Sequence, residues 1–311
     1  MGIIMKEVIG LVAGHSGDSL TDKLHKKNFK VAIVCGKTDE PGYGLADYKI
    51  QTDLSKKEEI YRFFVRNNVE KVVIGTGHIL AIELSQFLEA KGLTTNISYE
   101  NSIFVKDKIK TKKFFKRYDI LTPKFIYGSD INIINDIKLI GFPCVVKSSV
   151  DKIQPVKVYN IKELYEQVNI ILRLKSNVLI EEFIDGGDCT TAVVYNGKNI
   201  KLIQNIEYSK AKAYGLQGFN SAHVANIDDY INEEIKKIIF RFYEINPIIG
   251  TVRFDFIIDK EKIYLLEINS VIVTGYNGSA YPFFKKANID IADIMIENSI
   301  DIFNNKKEKL K

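Results

Sequence analysis

Short, unbroken apolar runs alternate with amphipathic ones over the first hundred residues. Val8–Val12, Lys30–Cys35 and Lys71–Ile74 are rich in Val and Ile and predict strands, while His15–Lys27, Lys56–Asn67 and Ala81–Lys91 repeat their apolar positions at helical spacing. Strands without polar alternation are covered on both faces, so the pattern predicts a parallel sheet between helices. The loop after the first strand, AGHSGDSL, puts Gly14 and Gly17 at the start of a helix, where backbone N–H groups hold anions. It lacks the full GxGxxG of a dinucleotide site, so it argues only weakly for a nicotinamide cofactor.

The pattern then changes. A basic helix opens near Lys106 and breaks at Pro123; a helix over Ile133–Ile140, a strand Cys144–Lys147 introduced by Gly141-Phe142-Pro143, a helix Ile161–Leu174 and a strand Val178–Glu182 follow. Beyond Gly186-Gly187 the sequence predicts a strand Thr190–Tyr195, its partner Lys198–Ile206, an irregular loop Glu207–Ala222 and a helix Ile231–Tyr243. A helical stretch Ser279–Phe303 and a lysine-rich tail end the chain.

Between them lies TVRFDFIIDKEKIYLLEINS, residues 251–270, which reads as a hairpin turning at Asp259-Lys260-Glu261-Lys262. With a period of two, Arg253 and Asp255 share one face opposite Val252, Phe254 and Phe256, while Glu267 and Asn269 share a face opposite Leu266 and Ile268. Two carboxylates and an amide oxygen form a hard ligand set suited to Mg2+. An amphipathic hairpin with a solvated polar face is the other reading of these positions.

Composition narrows the classes. The 311 residues are 46% hydrophobic, as in an ordinary globular protein, and 44 Lys and Arg stand against 39 Asp and Glu. A surplus this small, spread along the chain, gives no argument for nucleic acid despite a pI of 8.8. Cys35, Cys144 and Cys189 lie far apart in or beside apolar runs, without CxxC spacing, which predicts buried thiols in a reducing cytoplasm. No stretch approaches the ~20 apolar residues of a membrane span, so a soluble cytoplasmic protein is expected.

Taken in order, Asp107-Lys108, the strand end GFPCVVKSS, the segment Glu181–Asp188 and the Arg253/Asp255/Glu267/Asn269 face resemble the ATP-grasp superfamily, specifically its carboxylate-amine ligases. The resemblance covers Asp107 to about Asn277. It implies an α/β chain: an N-terminal parallel-sheet domain over residues 1–105, then a two-lobed ATP-grasp α+β fold over 106–311, with lobes of about 106–188 and 189–311. It also implies ATP binding by Lys108 and Lys147, with Ser148 and Ser149 beside them. Glu181 would face the adenine amine, the backbone of Glu182, Phe183 and Ile184 would bond the adenine edge, and Asp188 would take the ribose hydroxyls. Asp255 and Glu267 would hold one Mg2+, Glu267 and Asn269 a second, with Mn2+ as a substitute, and Arg253 would clamp the transferred phosphoryl group. Catalytic roles fall to Arg253 and Lys147.

One stretch departs from the family. Ser148-Ser149-Val150-Asp151-Lys152-Ile153-Gln154-Pro155 contains no glycine, where the family closes a Gly/Ser-rich loop over the phosphates. Lys210–Gly215, with Lys212, is read as a second lid or as a plain surface loop. His15 and His78 each follow a strand and a glycine, at strand ends where such sheets bind ligands, and with Arg253, Tyr276, Asn277 and Ser279 are candidates for the substrate pocket. The implied activity is ligation of a small carboxylate to an amine through an acyl phosphate, with no nucleic-acid or membrane partner and room for a homodimer. A non-catalytic ATP-binding regulator and an ATP-grasp kinase or carboxylase are the alternatives.

Overall fold

The computed structural model describes residues 6–128, 136–150, 153–207, 227–278 and 280–309. Three sheets organise them. The first is parallel throughout and runs β3-β2-β1-β4-β5, from β1 (Val8–Val12), β2 (Lys30–Cys35), β3 (Tyr48–Gln51), β4 (Val69–Ile74) and β5 (Thr94–Thr95). Helices α1 (Gly17–Lys26), α2 (Lys57–Arg66) and α3 (Ile79–Ala90) make the crossovers. The chain leaves β1 toward β2 on one side and returns to it with β4 on the other. The strand order therefore reverses between β1 and β4, where a parallel sheet opens a crevice at its carboxyl ends. Gly14-His15 and Gly77-His78 stand there.

Helices α4 (Tyr99–Lys106) and α5 (Lys108–Arg117) lead to the second sheet, antiparallel and ordered β6-β9-β7-β8, from β6 (Phe125–Gly128), β7 (Cys144–Ser148), β8 (Val156–Val158) and β9 (Val178–Glu182), with α6 (Ile161–Arg173) packed on it. The third, β11-β10-β12-β13, is antiparallel throughout, with β10 (Gly187–Tyr195) between β11 (Ile200–Glu207) and β12 (Gly250–Asp259) and β13 (Lys262–Asn269) at its edge. Its core is Phe254, Phe256, Val252, Leu265 and Ile268 against Phe242, Ile239 and Ile235 of α7 (Asp229–Ile245) and Phe115 of α5. A small apolar cluster, Val145, Ile184, Ile257 and Leu266, joins the second sheet to the third.

The structure differs from the sequence reading where patterns are short. Strands β3 and β5 are an alternating edge strand and a two-residue pair, too brief to read as periodic. Of the helix expected over Ile133–Ile140, the described residues contain a 3-10 turn at Ile137–Leu139. The expected C-terminal helix is two, α8 (Tyr281–Lys286) and α9 (Ile291–Lys309). Asn288 stops the first in the left-handed region, φ 56°, where the Ile289 N–H bonds back to Phe284 O, and Asp290 then accepts from the Asp293 N–H to cap the second.

Helix α9 bridges two bodies. Ala292, Met295, Ile296 and Phe303 pack in the core of the first sheet. Asn298 donates to Tyr195 O and Gly250 O of the third, Asn305 to Asn196 O, and Lys306 to Thr95 O and Ile97 O. The segment leaving β13 is tied to α1: the Thr274 N–H donates to Ser16 Oγ at 3.0 Å, and Tyr276 Oη donates to Asp22 at 2.7 Å.

That seam leaves no room for a side chain at Gly275. A Cβ there would lie 1.8 Å from His15 O, so Gly275→Ala is expected to destabilise the chain by about 1–3 kcal/mol. Gly44, with nothing within 4 Å, is the control, and Gly44→Ala should stay within about 0.5 kcal/mol of the parent. Thermal melts of the two variants check this; equal Tm values would show that the seam yields without cost.

Candidate active site

The hairpin β12–β13 brings its polar side chains into direct opposition. Arg253 pairs across the strands with Asn269, and Asp255 with Glu267. The turn closes over Lys260-Glu261, with Lys260 at φ 55°. A bulge follows the Asp255–Glu267 pair, because Phe256 pairs with Leu265 and Leu266 is the extra residue. Leu266 therefore joins Val145, Ile184 and Ile257 on the cleft side, while Leu265 and Ile268 face α7. The sequence reading put Leu266 opposite Glu267; strict alternation fails at one inserted residue.

Asp255 is the centre of this face. Its Oδ2 accepts from Arg253 Nε at 3.0 Å, Arg253 Nη2 at 2.8 Å and Asn269 Nδ2 at 3.1 Å, and its Oδ1 from Thr190 Oγ1 at 2.8 Å. The Glu267 carboxylate receives Lys108 Nζ at 2.6 Å and Asn269 Nδ2 at 3.3 Å, with Arg253 Nη2 3.9 Å away. Burial alone would raise the Glu267 carboxyl, but Lys108, Lys147 and Arg253 together hold it well below the usual carboxylate range. Burial, joined by the facing Glu267, pushes Asp255 up against the pull of Arg253.

Lysines reach this face from neighbouring elements. Asp107 caps α5, accepting from the N–H groups of Ile109 and Lys110 at 3.1 Å each, so Lys108 begins the first helical turn. The Lys108 N–H donates to Ser149 O at 3.0 Å, docking the loop after β7 onto the helix start. Lys147 is near the end of β7, 4% exposed, two residues after Val145, which is register partner to Glu181. It therefore lies diagonally beside Glu181 on one face of the sheet and pairs with Glu181 Oε2. Lys112, one turn beyond Lys108, contacts Glu181 Oε1 at 2.5 Å.

Glu181 has no exposed surface. Read from the sequence as facing an adenine amine, its carboxylate instead bridges two lysines, which hold it below the ordinary range although burial would raise it. Burial, with Lys147 close by, lowers Lys112 to about 8 against the pull of Glu181. Lys112 and Thr190 are the polar residues that sequence reasoning missed. The i, i+4 spacing of Lys108 and Lys112 on one helix face was the available signal.

Other expected residues are distributed around this cluster. The hydroxyls of Ser148 and Ser149 turn to Ser176, and Ser148 also donates to Val150 O. The Glu182 N–H donates to Lys124 O at 2.9 Å, and Lys157 Nζ stands 3.3 Å from the Phe183 ring centroid. Ile184 is buried, and Asp188 opposes Ile257 at the start of β10. His15, His78, Tyr276 and Asn277 are exposed around the crevice of the first sheet; His78 caps α3, accepting from the Leu80 N–H at 3.3 Å. Lys212, with the Lys210–Gly215 stretch, and Ser279 lie outside the described residues, as do Asp151 and Lys152. A groove of about 590 Å3 runs along Ile120–Ile126 beside Leu139 and Ile140, and none of the expected site residues lines it.

Among the described residues no cluster of three or more His, Cys, Asp or Glu side chains suits a metal ion. The hairpin set fits a hard divalent cation by its donors: two opposed carboxylates, plus the Asn269 amide once rotated to present oxygen. All three cysteines are buried and outside any disulfide, with Cys35 and Cys144 pushed up to about 12 by burial. No helix among the described residues is long and apolar enough to cross a membrane.

Comparison with known proteins fits this geometry. The family described as "D-ala D-ala ligase C-terminus" matches residues 114–297. The D-alanine--D-alanine ligase of Pelagibacter ubique is 33% identical over 277 residues, 84% of this chain and 83% of that protein. That of Thermosipho melanesiensis is 28% identical over 225 residues, 67% of this chain but only 61% of the relative's length. The solved D-alanine--D-alanine ligase of Bacillus anthracis, complexed with ATP, superposes with a TM-score of 0.74 at 18% identity, covering 96% of this chain and 99% of the other. With its parallel first sheet, its two antiparallel sheets and the matched stretch spanning more than half its length, the chain belongs to the D-Ala D-Ala ligase family and has the ATP-grasp fold.

Proposed function

We propose that this protein is an ATP-dependent ligase that joins a small carboxylate to an amine through an acyl phosphate, releasing ADP and phosphate. The observation that carries the reading is the convergence of Lys108, Lys147 and Arg253 on the opposed Asp255–Glu267 pair. Cations of this kind bind phosphate oxygens, and carboxylates among them serve a bound divalent cation rather than the nucleotide itself. Lys108 and Lys147 take the phosphates; Glu182, Phe183, Ile184 and Asp188 line the nucleoside; Arg253 clamps the transferred group in two-point fashion. Asp255, Glu267 and Asn269 hold Mg2+, which when bound neutralises phosphate charge. The two substrates enter at the crevice of the first sheet, near His15, His78, Tyr276 and Asn277.

The reaction needs no covalent enzyme intermediate. A substrate carboxylate oxygen attacks the γ-phosphorus, the β–γ bridge bond breaks and ADP departs; the amine nitrogen then attacks the acyl carbon, the carbon–oxygen bond to phosphate breaks, and the amine proton is lost to solvent. The chain contributes position and charge, in a cleft where Glu181 and Glu267 stay ionised. A second reading, a nucleotide binder without turnover, is favoured by the commitment of the Ser148 and Ser149 hydroxyls to Ser176 and Val150.

Calorimetry with Mg-ATP is expected to show saturable binding that Lys147→Ala weakens by about 1.5–3 kcal/mol, the scale of a charge-assisted contact. Unchanged affinity would remove Lys147 from the site. For the chemistry, incubation with ATP, Mg2+, amines and 18O-labelled amino acids, dipeptides and small hydroxy acids should move one label into released phosphate. Label in AMP would mean adenylation, and ATP binding without phosphate release would leave the non-catalytic binder.

A further inference from the structure

Lys112 is buried, 1% exposed, and its contacts run to two parts of the cleft. One is Glu181 Oε1 at 2.5 Å, the carboxylate whose other oxygen holds Lys147. The other is Thr122 Oγ1, which accepts from Lys112 Nζ at 2.6 Å and donates to Leu265 O at 2.7 Å. Leu265 returns the bond through its own N–H to Leu121 O at 2.8 Å. Leu265 adjoins the bulge residue that precedes Glu267. One buried ammonium is therefore wired to the phosphate lysine on one side and to the metal strand on the other.

We infer that Lys112 is a positioning residue for nucleotide phosphate, acting through Glu181: by sharing that carboxylate it keeps Lys147 from being fully neutralised and leaves its charge for the phosphates. The inference deepens the proposed function and rests on it. The physical reason is the charge density of the cluster. Two ammonium groups share one carboxylate that has no access to water, so each receives part of its charge. If Lys112 were apolar, the whole of the Glu181 charge would fall to Lys147, and the positive potential offered to an incoming phosphate would drop. A side chain with a purely packing role would leave no such dependence on phosphate.

The test compares ATP, ADP and adenosine by calorimetry on the full chain, in wild type, Lys112→Met, Glu181→Gln and the double variant, with circular dichroism and melts as the check on folding. Lys112→Met should weaken ATP and ADP at least about tenfold while adenosine stays within about twofold. Adding Glu181→Gln to Lys112→Met should restore most of the ATP affinity, because the carboxylate that closes on Lys147 is then gone. An equal loss for ATP and adenosine, or no rescue in the double variant, overturns the inference. Should Lys112→Met not fold, the cycle is read in the Glu181→Gln background, where replacing Lys112 must change ATP affinity less than about threefold; a larger change overturns it. Wild type that binds no ATP overturns the proposed function and this inference with it, whereas wild-type binding with an unaltered Lys112→Met overturns the inference alone.

Discussion

A carboxylate with no exposed surface cannot stay ionised in a protein interior unless cations hold it, and Glu181 is held by two. That constraint fixes much of the cleft. Lys112 reaches it from α5 and Lys147 from β7, so helix and strand must meet at one end of the second sheet. Lys108, one turn before Lys112, is then aimed at Glu267 on the third. Removing the carboxylate would leave two buried ammonium groups side by side; removing one lysine would leave the other to carry the pair. The cleft's charges thus depend on one another, which is how they remain ionised with little solvent.

The same economy appears on the hairpin. Asp255 is bonded on both oxygens, by Thr190 on one and by Arg253 and Asn269 on the other, so its place is set by strands on both sides of β12. Facing carboxylates repel, and here the repulsion is offset by Arg253 between them and by Lys108 beyond. A divalent cation would do the same work more strongly.

Long periodic segments made the fold legible. The parallel first sheet was readable because Val8–Val12 and Val31–Cys35 carry no charged or polar side chain, and the polar face of β12 because Arg253 and Asp255 keep a strict period. What escaped was either short or dependent on distant parts of the chain. In KIKTKKFFKR the i, i+4 spacing from Lys108 sets Lys112 apart from Lys110 and Lys113, but its enclosure is a matter of tertiary burial that the spacing does not announce. Leu266 changed sides because a bulge shifts alternation without a residue type to announce it. The break at Asn288 was signalled by an Asn before Asp290, a cue weaker than the helical spacing on either side of it.

Helix α9 gives the molecule an uneven mechanical character. Through it the first and third sheets are fastened by apolar packing and by hydrogen bonds from Asn298, Asn305 and Lys306, so the crevice and the hairpin form one stiff frame. Among the described residues the second sheet meets the third through a small apolar patch, Val145, Ile184, Ile257 and Leu266 with Phe183 and Tyr264 packed against it, and is linked further by the Lys112–Glu181 ion pair and by hydrogen bonds at Ser149, Thr122 and Leu121. The second sheet thus has the smaller apolar fastening of the two. Leu266, seated in the joint one residue from Glu267, makes the bulge a point at which the seating of the second sheet and the geometry around Glu267 are felt together.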